Sequence, residues 1–254
     1  MTKVSAVVVS HGHAAALTTL LPLLVQQVDE LVVVSNRPGS LPAEVPDAAR
    51  VIENPVPRRL AENVNLGVAA TSGAWVLCSN PDVVPQPDAV TALHAFAETR
   101  PRCGIAGPRT AWPDGTWQPT RRSFPTVRGT LVRRTPLRRR FPPLERQREH
   151  YHLDEDVSAP AEADWLLGAF LLMRREMLDE LGGWDEGYRH YVEDIDLCYR
   201  AMRAGWERWY LPSAQVTHDW AQVSDRRFLS RHTLWHAEGM ARFVVRHPET
   251  LARL

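Results

Sequence analysis

The stretch "ENVNLGVAATSGAWVLCSNPDVV", Glu62 to Val84, decides the fold: a helix signal, then the apolar strand "AWVLCSN", then a polar loop opening on Pro81-Asp82. The same alternation runs outward from it. Before it lie the β-branched run "VSAVVVS" (Val4–Ser10), the helix signal "AAALTTLLPLLVQQ", and the strand signals "ELVVVSN" and "ARVIEN". After it come the helix signal "DAVTALHAFAETR" and the strand "CGIAGP" (Cys103–Pro108). Strands that are apolar throughout, alternating with helices, predict a largely parallel sheet covered by helices.

Three of these strands run directly into polar residues: Ser10-His11, Ser35-Asn36 and Asn80-Pro81-Asp82. In open α/β sheets ligands bind beyond the carboxyl ends of the strands, so these residues should converge on one crevice. Ser, Asn, Asp and Pro also make ordinary turns; it is the coincidence of three such endings that favours a site. Neither GxGxxG after the first strand nor GxxxxGK[ST] is present, which argues against dinucleotide and Walker-type phosphate sites.

The middle of the chain differs in character. Asp114-Gly115 between Trp112 and Trp117 is a hairpin signal. A run from Arg121 then carries Arg122, Arg128, Arg133, Arg134, Arg138, Arg139 and Arg140 with no acid among them, the one strong local charge asymmetry. Acids follow at Glu145, Asp154, Glu155 and Asp156. Order returns with "WLLGAFLLMRR" as a strand, "EMLDELGG" as a short helix stopped by Gly182-Gly183, and "WDEGYRHY" as a loop. "VEDIDLCYRAMRAGW" (Val192–Trp206) then reads as a helix with a buried stripe of Ile195, Cys198, Met202 and Trp206. Its acids, Glu193, Asp194 and Asp196, suit the positive end of the helix dipole, and Asp196 can pair with Arg200 or Arg203. On this segment alone an ordinary acidic first turn and a chemical site are both open. Strand signals "ERWYLP" and "AQVTH" follow, and an amphipathic helix from about Asp225 to His247, with Phe228, Leu234, Met240 and Phe243 apolar.

The chain has 254 residues, 44 % hydrophobic and 24 % charged, which suits one sizeable α/β domain with a substantial core. Lys+Arg and Asp+Glu both total 30, so no global attraction to nucleic acid or anionic membrane is expected. Cys78, Cys103 and Cys198 are widely spaced, without CxxC, and read as core residues in a reducing compartment. The apolar run near the N-terminus is too short for a signal peptide, and no stretch approaches a transmembrane helix. The expectation is a cytoplasmic protein.

In this order, "VVVSHGH", "LVVVSN", "ENVNLGVAATSGAWVLCSNPDVV", "WLLGAFLLMRREMLDELGGWDEGYRHYVEDIDLCYRAMRAGW" and "VTH" resemble a family 2 glycosyltransferase of GT-A fold, most closely the bacterial rhamnosyltransferase-like members with "NPD" in place of DxD. The resemblance covers nearly the whole chain and is weakest from about Arg121 to Pro160. It implies a GT-A-type, Rossmann-like fold in one domain, 1–254: a nucleotide-sugar-binding half (1–108), a variable Arg-rich insertion (109–160) and an acceptor-binding, catalytic half (161–254).

The resemblance further implies an inverting transferase taking a sugar, rhamnose from dTDP-rhamnose foremost, to a saccharide or polyprenyl-diphosphate-linked acceptor in cell-envelope polysaccharide synthesis. Ser10, His11, Asn36 and Asn80 would meet the donor, Asn36 standing where relatives commonly carry Asp. Asp82 aligns with the last acid of DxD and His218 with a late His that reaches metal or diphosphate. Because Asn80 is neutral, a weakly held Mg²⁺ or Mn²⁺, carried largely by the donor diphosphate, is expected. The base would be Asp194, with Glu193 orienting the acceptor or tuning its neighbour. Trp165 and Gly168 would line the donor-sugar and acceptor pocket. The segment Arg121–Arg140 would meet an acceptor diphosphate and an anionic leaflet surface, a peripheral membrane contact.

Other readings are a UDP- or GDP-sugar donor serving a natural product or protein, a nucleotidyltransferase, and a nucleic-acid-binding module built on the arginine run. The nucleotidyltransferase predicts a Gly- and Lys-rich loop that "SHGHAAAL" lacks. The nucleic-acid module predicts interleaved stacking aromatics, of which the run has few, so no nucleic-acid partner is expected.

Overall fold

In the computed structural model, which describes residues 2–125, 150, 152, 157–219 and 231–253, every predicted parallel strand is present. β1 (Val4–Ser10) pairs in parallel with β2 (Glu30–Ser35) and β4 (Trp75–Ser79), and β2 pairs with β3 (Ala49–Glu53). Helices α1 (Ala14–Val25), α2 (Leu60–Ala69) and α3 (Ala89–Glu98) fill the connections. The sheet continues with β5 (Val83–Pro85), β6 (Cys103–Ala111), β11 (Phe170–Arg174) and β12 (Glu207–His218), in the order β3-β2-β1-β4-β11-β6-β12-β5. β11 and β5 run antiparallel to their neighbours, and β6 and β12 are parallel. The sheet is therefore mixed but mainly parallel.

Burial explains why the strands lack polar alternation. Val7, Val32, Val34, Val76, Leu171 and Met173 face one core, which also holds residues of α2, α4 (Arg175–Leu181), α5 (Glu193–Arg203) and α6 (Arg231–Arg246). Val4, Ala6, Val8, Val33, Leu77 and Leu172 face the other, against α1 and α3. Both faces are covered, so successive residues must all be apolar. The three cysteines are free and buried, as expected.

Several boundaries differ from the sequence reading. "WLLGAFLLMRR" is two strands: β10 (Trp165–Leu166) pairs with β8 (Arg121–Arg122), and β11 starts only at Phe170. Between them the backbone is diverted: Leu167 N–H donates to Thr120 O, and Gly168 N–H to a carboxylate described below. "ERWYLP" and "AQVTH" are one strand, β12, with an irregularity between Leu211 and Gln215 that accommodates Pro212. β9 (Ala161–Glu162) pairs with β12. The hairpin at Asp114-Gly115 forms as read, joining β6 to β7 (Trp117–Gln118). Of the terminal helix only α6 is described; Asp225 and Phe228 lie outside the described residues. No helix among the described residues is long and apolar enough to cross a membrane.

The first two arginines of the basic run are correspondingly part of the fold, which corrects the expectation that they face a leaflet. Arg121 is 3 % exposed, its guanidinium 5.9 Å from the Tyr210 ring, and Arg122 lies 4.9 Å over Trp165. Arg128, Arg133, Arg134, Arg138, Arg139 and Arg140 lie outside the described residues.

Candidate active site

At the carboxyl ends of β1 and β2, Ser10 is fully buried, its Oγ accepting the His13 N–H, and Asn36 is 6 % exposed. Every polar position of the Asn36 amide is used. Its Nδ2 donates to Arg58 O at 2.8 Å and faces His11 Nδ1 at 3.2 Å; its Oδ1 accepts from Arg58 N at 2.7 Å and Asn54 Nδ2 at 3.0 Å. Asn54 also donates to Asn63 Oδ1, and Asn63 Nδ2 donates to Arg59 O at 2.8 Å. Asn36 thus pins the 54–59 loop over the end of β2, while His11, exposed beside it, turns to the solvent side of the crevice.

The loop after β4 is fixed at both ends. Asn80 N–H donates to Ala169 O at 2.8 Å, and Asp82 O accepts the Asp219 N–H. Asp82 is partly exposed and places Oδ1 3.5 Å from Nε2 of His218, which is 2 % exposed. Nδ1 of His218 is 3.0 Å from Gln118 Oε1, an acceptor, so Nδ1 donates there and Nε2 is the nitrogen turned toward Asp82. An oxygen and an imidazole nitrogen at this separation suit one small divalent cation contacting both. Among the described residues no three His, Cys, Asp or Glu side chains gather as a metal cage, so any ion here would draw its remaining ligands from a bound diphosphate or water.

α5 opens with the acidic pair, Glu193 and Asp194. The residues just before it, Tyr191 and Val192, both have φ of 74°. For a β-branched residue this is a strained conformation costing about 1–3 kcal/mol, sustained only by surrounding packing. Gly239 of α6 supplies that packing: a Cβ there would come within 3.0 Å of both Tyr191 O and Val192 Cγ2. α2 holds the preceding loop. Asn65 Nδ2 donates to Trp184 O, Asn65 Oδ1 accepts the Trp184 N–H, and Arg59 donates to Glu186 O.

Asp194 is held by two backbone donors, Gly168 N–H at 3.0 Å on Oδ2 and Ile195 N–H at 2.9 Å on Oδ1. Gly168 favours this approach, since a Cβ would lie 3.1 Å from Asp194 Cβ, tight enough that one of the two would have to shift. Glu193 is 5 % exposed, and its Oε2 has no hydrogen-bond partner among the described residues. Burial raises its pKa first, the Asp194 charge second, to about 8. Burial also raises Asp194, while the N–H groups of Gly168 and Ile195 and the positive Arg122 oppose the rise. Of the two carboxyls, Asp194 is the one whose oxygens meet backbone donors, so hydrogen bonding favours the negative charge there.

Asp196 is different. Fully buried, it accepts from Arg200 Nε at 2.7 Å and Tyr188 OH at 3.0 Å, and its Oδ1 lies 2.8 Å from His247 Nε2. The expected i,i+4 pairing is with Arg200; Arg203 turns to Glu249. Trp165 is core: it is 4 % exposed, and its indole N–H is spent on Ser123 O. Gln118, Asn54, Asn63 and Gly239, which support the site, were not read from the sequence. Only the asparagines inside the α2 signal hinted at a helix carrying more than apolar packing.

What unites the halves is the short segment Gly168-Ala169. One residue gives its N–H to Asp194 and the next takes the N–H of Asn80, so the polar loop after β4 and the acids of α5 are tied to adjacent positions. A mainly parallel sheet with such a crevice at its strand ends is the GT-A architecture, and the solved structures it resembles share it. One is GalNAc-T7 with UDP, GalNAc and Mn²⁺, at TM-score 0.64, 15 % identity, and coverage of 99 % of this chain and 51 % of that one. Another is the mannosyltransferase PcManGT from Pyrobaculum calidifontis in complex with GDP-Man and Mn²⁺, at TM-score 0.56, 14 % identity, and coverage of 99 % and 72 %.

The family model "Glycosyltransferase like family 2" matches residues 40–238, and the chain belongs to that family. Among curated relatives, an N-acetylglucosaminyl-diphospho-decaprenol L-rhamnosyltransferase of Mycobacterium tuberculosis is 34 % identical over 174 residues, 68 % of this chain and 56 % of the relative. The rhamnosyltransferase WbbL of Escherichia coli K12 is 35 % identical over 92 residues, 36 % of this chain and 34 % of the relative. The chain therefore spans less than two thirds of either.

Proposed function

We propose that this chain is an inverting glycosyltransferase that moves rhamnose from dTDP-rhamnose to a saccharide or polyprenyl-diphosphate-linked acceptor in cell-envelope polysaccharide synthesis. The observation that carries this reading is the junction at Gly168-Ala169, whose consecutive residues bind the Asp194 carboxylate and the Asn80 N–H at the head of the loop that carries Asp82. The rhamnosyltransferase relatives support the choice of sugar and acceptor class.

In this reading Asp194 accepts the proton of the acceptor hydroxyl as that oxygen attacks the anomeric carbon from the face opposite the leaving group, which inverts the centre. Glu193, neutral, keeps a second charge away from the base. Ser10, Asn36 and Asn54 fix the strand-end loops, and His11 and Asn80 face the donor. Asp82 and His218 would hold a divalent Mg²⁺ or Mn²⁺, which offsets negative charge developing on the departing nucleoside diphosphate. The protein works at the inner face of the plasma membrane, with the arginines from Arg128 to Arg140 contacting anionic lipid. Failure to sediment with anionic vesicles at low salt would remove that last element.

The test of the reaction is a panel of dTDP-, UDP- and GDP-sugars, each with and without Mn²⁺ or Mg²⁺, measuring nucleoside diphosphate release and thermal shift. The expected result is turnover of dTDP-rhamnose with metal, and Asp82→Ala should weaken metal-dependent donor binding. Turnover of only a UDP- or GDP-sugar reassigns the donor. Turnover of none, with a saccharide acceptor present, rejects the reading.

A further inference from the structure

The loop that leads into the acidic pair carries a basic centre that the reaction above does not use. Arg189 is exposed, and its guanidinium carbon lies 5.2 Å from the Trp235 ring centroid. Arg231, exposed on α6, places its own 5.3 Å from the same ring. His190 and His232 surround the indole edge-on, at 6.2 and 5.3 Å, and the Tyr191 hydroxyl bonds His232 Nδ1 at 2.9 Å. Burial, followed by repulsion from His232, pushes His190 down to about 4, so this imidazole adds no charge of its own at neutral pH.

The contrast with neighbouring arginines is informative. Arg200 pairs with Asp196, Arg203 with Glu249, and Arg242 and Arg246 with Asp185. Arg189 and Arg231 make no ion pair among the described residues. Two like charges brought to one indole, neither paired with a carboxylate among the described residues, repel each other, and an anion placed there relieves that repulsion. Guanidinium forks match phosphoryl oxygens in pairs, and stacking on an aromatic plate fixes their planes in advance. The position also differs from that of the donor diphosphate, which the reading above puts at Asp82 and His218 on β5 and β12. This cluster instead joins the base through Tyr191 and Val192, on the loop that would meet an acceptor.

We infer that Arg189, Arg231 and Trp235 form a binding site for the phosphate or diphosphate ester of the acceptor. This rests on the glycosyltransferase reading for the word acceptor, but the binding itself can be read without transfer. The shared chemistry, a phosphoric ester, could equally come from the nucleotide, so the arms of the test separate the two sources.

Isothermal titration of the full chain with farnesyl diphosphate, with farnesol, and with dTDP or UDP plus Mn²⁺ supplies the readout. Farnesyl diphosphate should bind and farnesol should not. The double variant Arg189→Gln/Arg231→Gln should lose at least tenfold in affinity for farnesyl diphosphate while dTDP and UDP change less than twofold. Lys at both positions should fall between, keeping charge but not the stacked fork. No binding of farnesyl diphosphate by the wild-type chain, or equal binding by the double variant, overturns the site. Equal weakening of dTDP or UDP assigns it to the donor and overturns the proposal as stated. If the sugar panel shows no turnover but the titration gives the expected pattern, the diphosphate site stands and only the transferase reading falls.

Discussion

The amide cluster of Asn36, Asn54 and Asn63 and the carboxylate pair of Glu193 and Asp194 are both polar groups at the mouth of the sheet, yet they are satisfied differently. Each polar atom of Asn36 has a protein partner, and the backbone around it is relaxed. At the pair, Glu193 keeps an oxygen without a partner among the described residues, both pKa values are raised, and the chain enters through two residues in the left-handed region. A cluster that closes on itself builds structure. One left under-satisfied on a strained mount has interactions in reserve for a reactant.

The largest effect that would break this contrast is on rate. Asp194→Asn should leave donor binding intact and lower transfer by about 10²–10⁴-fold, as removal of a general base does; near-normal initial rates would remove Asp194 from the chemistry. Asp196, two residues on, should behave in the opposite manner. Asp196→Ala strands Arg200 in a mostly buried position and should cost roughly 3–5 kcal/mol in denaturant unfolding, a loss in stability that Asp194→Asn does not share.

Within the amide cluster, Asn54→Ala removes the donor to both Asn36 and Asn63 and should cost about 1–3 kcal/mol, with nucleotide affinity falling as the 54–59 loop loosens. If stability is unchanged, the cluster is not a structural unit. The smallest effect concerns Glu193. Its carboxyl is raised from the ordinary 4.5 to about 8, so the folded state holds a proton that the unfolded chain releases. Stability from this group is full below pH 4.5 and is lost as pH rises through 8. Glu193→Gln should flatten that slope, sparing at least about 1 kcal/mol, or roughly 2–4 °C in Tm, between pH 5 and pH 8. Parallel profiles for the two proteins would mean that Glu193 is ionised throughout.

The strand ends and the acidic helix start were legible because they depend on local pattern: apolar runs, polar punctuation and helical spacing. The split of "WLLGAFLLMRR" was not, because Leu167 and Gly168 leave the ladder for partners at Thr120 and Asp194, far off in sequence. Nor was Val192 readable as left-handed, since its side chain favours extended backbone and the conformation rests on packing from distant segments, Gly239 of α6 among them. Asn36 looked like a donor contact because an amide at a strand end can face either way; its neighbours turn it inward. Trp165 was ambiguous for the same reason, and packing claimed it.

The tie at Gly168-Ala169 also limits how the chain can be recombined. A chimera that joins the first half of this protein to the second half of a relative at any point between Ala169 and Glu193 keeps this segment with the native Asn80 but imports an Asp194 equivalent shaped for another backbone. A junction before Trp165 instead imports the segment with its own acid, so that of this tie the Asn80 contact alone has to be refitted, beside the strand pairings of β8 with β10 and β4 with β11. Crossovers on the near side should therefore be the productive ones, because a main-chain carbonyl accepts a foreign N–H more readily than a carboxylate finds a new cradle.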